Sequence, residues 1–495
     1  MKLGSGCRRS RCGRVPRAIA RARLSRRPAA RLFLALAALI LSARASVARA
    51  EADSYPTGKI VEKIVCRSDP RFSFALYLPA RFDPAKRWPL LFLFDPRGRG
   101  AAAAERFREG AERFGWVIVS SNETRSDDPT APNREAIRAL WAEAPARFPV
   151  DPRRIYAGGF SGGARLAFSL AFSGRGILAG VIAASGGLPT TPAASHDVNF
   201  PAFLTAGWTD FNYQEMKALD RTLEKRGSPH RLRTFDGGHD WAPAAIGTES
   251  IGWLEILAMK AGLRPRDEAL AAALLNEDLA RAEAREKSGD IQAAFEIHAR
   301  ALIDFDGLAP VDASRDAAAR LRDAARKGND DEARRDARES AEIQRLQGAL
   351  AAILDSAEPV PLPSAAHRLD VASLRERAAS KDPAERLSAK RTISSLFVQT
   401  YFYRPRDFFA AQEPRRAAQS LEIAAAFEPE RGAVWYDLGC ARARAGDGRR
   451  AVEALRTAFE RGFTDAAHMA EDPDLVSIRG RADYKALAAE MAAPR

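Results

Sequence analysis

The stretch Ile155-Tyr156-Ala157-Gly158-Gly159-Phe160-Ser161-Gly162-Gly163-Ala164 decides how this chain is read. It runs as a buried strand, a turn written Gly-x-Ser-x-Gly, and the start of a helix. In such a turn the serine hydroxyl stands out at the carboxyl edge of a sheet. The flanking residues must be small because the turn is sharp and the chains beside it pack closely. The pattern alone is weak, since ordinary Gly and Ser usage produces it by chance in roughly one chain in seven of this length. Its surroundings give it weight. Asp151-Pro152 marks a break ahead of it, Arg154 to Ala157 is short, β-branched and aromatic, and Ala164 to Ala171 is apolar at helical spacing.

Outward from this unit, strands and helices alternate from about residue 55 to 262. Lys59 to Cys66 and Phe72 to Leu78 read as an antiparallel pair. Trp88–Phe94, Trp116–Ser120, Ile177–Ala184, Ala202–Ala206 and Leu232–Phe235 read as further strands. Helices are predicted over 101–113, 132–147, 212–226 and 247–261. Continuous apolar strands separated by helices imply a mostly parallel sheet covered on both faces, with ligands at the carboxyl ends of its strands.

A serine hydroxyl needs a base to take its proton and a third group to orient that base. His196, in a Pro/Ser/Thr loop, and His230, just before a strand, read as surface residues. His239 lies in Phe235-Asp236-Gly237-Gly238-His239-Asp240-Trp241, between the last strand and the last helix of this part. Its two preceding glycines let the loop fold back over the sheet edge, so it is the natural base. Asp210, three residues past the Gly that ends the Ala202–Ala206 strand segment, is the chosen acid. Asp236 and Asp240 are nearer in sequence, but so close a neighbour rarely reaches the far imidazole nitrogen. Asp240 is expected on the surface or as a helix cap. Phe160, Trp208 and Trp241 are the candidate pocket residues.

On these residues the segment 55–262 resembles the α/β-hydrolases, and most of all the secreted esterases related to polyhydroxybutyrate depolymerases and feruloyl esterases. Asp151-Pro152-Arg153-Arg154-Ile155-Tyr156, Gly159-Phe160-Ser161-Gly162-Gly163 and Gly238-His239-Asp240-Trp241 carry the likeness. It implies an eight-stranded sheet, a Ser161, Asp210, His239 triad, and no metal or organic cofactor. One departure stands out. Such esterases follow their third strand with a His-Gly pair whose turn donates an N–H to the oxyanion. Here Phe94-Asp95-Pro96-Arg97-Gly98-Arg99-Gly100 stands there, and Pro96 has no N–H. The donor is expected to shift to Arg97, beside Gly162. Arg97 and Arg99 are alternatively ligands for a substrate carboxylate or phosphate.

The chain has 495 residues, so two or three domains are expected. Its formal charge of +13 is misleading. Residues 1–50 hold 13 Lys and Arg and no Asp or Glu, which leaves 77 − 13 = 64 basic against 64 acidic residues. The balance gives no support to a nucleic-acid partner. The leader, with its apolar run Leu32 to Leu41 and the small-x-small pattern Val47-Ala48-Arg49-Ala50, reads as a signal peptide. The expected product starts near Glu51, is periplasmic or secreted, and has no stable membrane insertion after cleavage. Cys66 and Cys440 remain after the leader and read as solitary structural thiols, with a bridge between them as the alternative.

After about residue 263 the composition turns to Ala, Arg, Glu, Asp and Leu, and the reading is all helix. Residues 323–342 are a solvated helix or a loose connection. Ala417, Leu421 and Ala424 recur as Ala451, Leu455 and Ala458, an offset of 34, which resembles tetratricopeptide repeats. A weaker copy spans 275–308. The expected organisation is a signal peptide at 1–50, a hydrolase part at 51–262, a helical region with a charged linker at 263–397 and repeats at 398–495. The expected function is ester hydrolysis of a small or polymeric substrate, with a protein or peptide partner on the repeats. The alternatives are a peptidase or a transferase on the same triad, or an idle hydrolase domain beside a binding module.

Overall fold

The computed structural model describes residues 55–126, 131–174, 176–189 and 197–492. The leader and His196 lie outside them. Eight strands form one sheet: β1 (Ile60–Val65), β2 (Ser73–Tyr77), β3 (Trp88–Phe94), β4 (Val117–Ser121), β5 (Val150–Phe160), β6 (Gly180–Ala184), β7 (Ala202–Gly207) and β8 (His230–Phe235). Their order is β1-β2-β4-β3-β5-β6-β7-β8. β2 pairs antiparallel with both β1 and β4, and every other pairing is parallel. The central strands are buried along their whole length, as continuous apolar runs covered on both faces require.

The covering helices are α1 (Gly100–Phe114), α2 (Asn133–Arg147), α3 (Gly162–Ser173), α4 (Tyr213–Arg226) and α5 (Ala244–Lys260). Each falls where the apolar period predicts it, to within three residues. The break expected at Asp151-Pro152 is different. β5 runs through it from Val150, and its pairing with β3 jumps from Trp88↔Val150 to Leu90↔Ile155. An irregularity of this kind absorbs a proline that could not serve a regular central ladder.

The helical region follows as α6 (Glu268–Lys287), α7 (Ile291–Asp304), α8 (Asp312–Leu354), α9 (Leu362–Arg368), α10 (Val371–Ala378), α11 (Pro383–Val398), a π turn at Gln399–Tyr403, α12 (Arg404–Ala410), α13 (Pro414–Phe427), α14 (Gly432–Arg444), α15 (Gly448–Glu460), α16 (Ala466–Glu471), a 3-10 turn at Pro473–Ile478, and α17 (Ala482–Ala492). Residues 323–342 belong to α8, one helix of 43 residues. Ala417, Leu421 and Ala424 on α13 and their counterparts on α15 are buried. Gly439 of α14 lets α15 come close, because a Cβ there would stand 2.8 Å from the Leu455 side chain. The π turn lies just before Pro405, whose ring an ordinary helical ladder would not admit.

Sheet, covering helices and helical region belong to one compact unit. At the β8 edge, buried Arg231 reaches Asp278 of α6 and Asp304 of α7, both at 2.8 Å. Trp253 Nε1 also donates to Asp304 at 2.9 Å. Cys66 and Cys440 are free and buried. Among the described residues no helix is long and apolar enough to cross a membrane.

Candidate active site

The turn after β5 has the geometry its glycines imply. Ser161 sits at φ 54° and ψ −121°, a left-handed conformation that costs a non-glycine residue on the order of 1–3 kcal/mol. A Cβ on Gly159 would lie 2.1 Å from the Gly163 carbonyl oxygen, and one on Gly163 would lie 1.9 Å from that of Phe94. Only hydrogen fits at either place. Ser161 N–H donates to Ala184 O at 2.8 Å, which ties the turn to the end of β6. Gly162 then opens α3, so its N–H has no intrahelical partner and points out of the helix N-terminus.

The loops after β7 and β8 meet beside it. Thr209 N–H donates to Gly237 O at 2.9 Å, and a Cβ on Gly207 would lie 2.2 Å from Gly238 O. This contact brings His239 and Asp210 together. His239 Nδ1–H donates to Asp210 Oδ1 at 2.8 Å, and Ser161 Oγ–H donates to His239 Nε2 at 3.0 Å. The tautomer follows from the carboxylate, which can only accept. Asp210 is fully buried, and its Oδ1 also accepts from Asn212 N–H at 2.8 Å. Asp236 and Asp240 are exposed. Asp240 caps no helix, accepting instead from Trp241 N–H.

Several residues stand differently from expectation. The Arg97 N–H donates to Asp95 Oδ1 at 2.9 Å, so the donor assigned to the oxyanion already has a partner. The cause is the Asp95 carboxylate, which folds back on the turn. Asp95 is fully buried and also accepts from Arg99 Nε at 3.1 Å, Arg99 Nη2 at 3.0 Å and Trp241 Nε1 at 2.9 Å. Burial pushes its carboxyl up, but the donors Arg99, Trp241 and Arg97 outweigh that and hold it below the ordinary value. Arg99 thus spends its Nε and Nη2 on Asp95, with its head 45% exposed. Trp241 and Phe160 are buried, with Phe160 packed 4.7 Å from the imidazole. Phe160 backs the base, and Trp241 packs behind it, its ring 5.8 Å from that of Phe160. Trp208 is half-buried and donates to Thr234 Oγ1 at 3.2 Å. His230 is buried, not a surface residue, and its Nδ1 lies 2.7 Å from Ser228 O.

Two further residues pack against these groups. Phe211, next to the acid, lays its ring 4.0 Å from that of His239, on a tilt of 30°. Ser126 packs against Gly162, with its Oγ 3.0 Å from where a Gly162 Cβ would be. Its N–H donates to Pro96 O at 3.0 Å, and Asn133 holds the preceding Arg125 through both backbone groups. Nothing in the sequence pattern points to Ser126.

No protein-family model matches the chain, and no curated protein matches it. Solved structures are similar over part of it. A ferulic acid esterase is 17% identical, covers 40% of this chain and 96% of its own, and has a TM-score of 0.35. A fluorophosphonate-binding serine hydrolase F of Staphylococcus aureus is 14% identical over 40% of this chain and 99% of its own, with a TM-score of 0.34. An esterase of Pyrobaculum calidifontis is 14% identical over 46% of this chain and 92% of its own, also at 0.34. The fold itself rests on the strand order and pairing of the eight-stranded, mostly parallel sheet.

Proposed function

We propose that the chain is an exported serine hydrolase that cleaves carboxylic esters through an acyl-enzyme. The observation that carries the reading is the relay of 3.0 Å from Ser161 to His239 and 2.8 Å from His239 to Asp210, set on a strained turn at a helix N-terminus. Ser161 Oγ attacks the ester carbonyl while His239 Nε2 takes its proton. Asp210 fixes the tautomer and stabilises the imidazolium. The C–O bond to the leaving alcohol breaks as His239 returns the proton to it. Water, deprotonated by the same imidazole, then releases the acid and restores the serine.

The developing oxyanion is held by Gly162 N–H at the positive end of α3. A preorganised donor of this kind contributes about 3–4 kcal/mol to transition-state stabilisation. Export rests on the composition of residues 1–50. The division at 50, 262 and 397, and the tetratricopeptide-like reading of the last part with its protein or peptide partner, belong to the same proposal. The test is a fluorophosphonate probe with short-chain nitrophenyl esters. The wild type should label and turn over, and Ser161→Ala should do neither. Equal labelling of the two proteins would refute the nucleophile.

A further inference from the structure

We propose that Arg391, on α11 and 183 residues beyond the Trp208 carbonyl that it holds, is a positioning residue for the proton relay. The proposal rests on the hydrolase reading above. Residues Trp208 to Asn212 form the loop between β7 and α4, and this loop supplies both groups that fix the imidazole: the Asp210 carboxylate and the Phe211 ring. From inside the sheet part the loop is tied through Trp208 N–H to Phe235 O and Thr209 N–H to Gly237 O. From outside it is held by Arg391.

One guanidinium brackets the loop. Arg391 Nη1 donates to Trp208 O at 2.9 Å, at the loop's first residue. Its plane lies 4.5 Å over the ring of Tyr213, the residue that follows the loop. Its remaining edge forks onto Glu339 of α8, Nε to Oε1 and Nη2 to Oε2, both at 2.6 Å. Arg391 and Glu339 are both largely shielded, at 11% and 3% side-chain exposure. Glu339 is itself seated by Gln214 of α4 at 2.9 Å. A carbonyl, a carboxylate fork and an aromatic face engage one planar cation together, which an ammonium cannot imitate. The rest of the contact between α8 and α4 is ordinary ion pairing farther along the helix, Lys217 to Glu332 at 2.8 Å and Arg221 to Asp336 at 3.0 Å. The Arg391 clamp grips both ends of the five residues that contain Asp210 and Phe211, while Asn212 Nδ2 donates to Ser185 O at 2.8 Å within the sheet part. The helical region thereby completes the hydrolase site.

Displacing a catalytic group by about 1 Å costs on the order of 100-fold in rate. In the full chain, Arg391→Ala should lower kcat for a nitrophenyl ester by about 10- to 100-fold, with little change in KM. Fluorophosphonate labelling should slow in step. The low-field proton signal of the His239 Nδ1–H bond should broaden or vanish, and Arg391→Lys should recover only part of the rate. Arg221→Ala breaks the same helix contact away from the loop and should leave kcat and that signal as in the wild type. Equal kcat for Arg391→Ala and Arg221→Ala, with the proton signal intact in both, overturns the proposal. If Arg391→Ala does not fold, Glu339→Gln takes its place: it loosens the fork and must still lower kcat without raising KM. Labelling that survives Ser161→Ala in the wild-type background would instead remove the hydrolase reading, and Arg391's role with it.

Discussion

Replacing Asp95 by Asn tests the most unusual feature of the turn after β3. The side chain keeps its volume and loses its charge. In the wild type the carboxylate takes the Trp241 indole on one oxygen and the Arg97 amide on the other, with the Arg99 guanidinium on both. An amide has one acceptor oxygen. If that oxygen stays with Arg97, the new NH2 faces the Trp241 Nε1–H, and a buried donor is left without a partner at a cost of about 1–3 kcal/mol. Losing the charge weakens the surviving bonds by about 1 kcal/mol more. The Arg99 head is 45% exposed and turns to water, so it adds little. The sum is about 2–4 kcal/mol of stability. Chemical denaturation followed by tryptophan fluorescence measures it. The sign with pH is fixed by the lowered carboxyl: its stabilisation is present above the ordinary value of 3.8 and fades as pH falls through the lower native value. Asp95→Asn should therefore lose stability at pH 7 and become less acid-sensitive below about pH 4. A midpoint within 0.5 kcal/mol of wild type (roughly the noise of a surface substitution), with an unchanged acid transition, would refute the reasoning.

Two other outcomes follow from the same geometry. Asp210→Asn should cut kcat by about 10⁴-fold with the relay distances preserved, since the amide favours the wrong imidazole tautomer; a loss under tenfold in steady-state ester assays would contradict the role given to the carboxylate. Arg231→Leu leaves buried Asp304 with the Trp253 indole but no cation, while Asp278 keeps Arg281, and should destabilise the chain by about 3 kcal/mol. A thermal midpoint unchanged from wild type would show that the other basic groups nearby suffice.

What could be read in advance follows the range of the forces involved. Strand and helix positions in the sheet part were legible because their periods are local, and β3 falls on the residues expected. Ser161, Asp210 and His239 could be chosen as a set because each follows a strand end, and parallel strands deliver their ends to one edge. The Arg97 amide was misjudged because its engagement depends on the side chain of Asp95, two residues away, folding back on the turn. His230, just before a strand in the sequence, reads as a surface residue, and the long-range Arg300 contact from α7 beside it carries no local signal. Ser126 and Arg391 carry no local pattern. Their relation to the site comes from long-range packing, which composition and spacing do not encode.

Among the described residues, Cys66 and Cys440 give the chain its own unfolding reporters. Burial, reinforced by the Glu143 carboxylate, pushes Cys66 up to about 12, and burial with Asp472 nearby raises Cys440 as well. Disulfide exchange needs the thiolate, which a group at that value forms only to about one part in 10⁴ at pH 8. An aromatic disulfide reagent should thus ignore both while the chain is folded. Cys66 becomes reactive when the outer edge of the sheet opens, and Cys440 when the last helices part. Peptide mapping of the two adducts then times the loss of each end separately, without any introduced label.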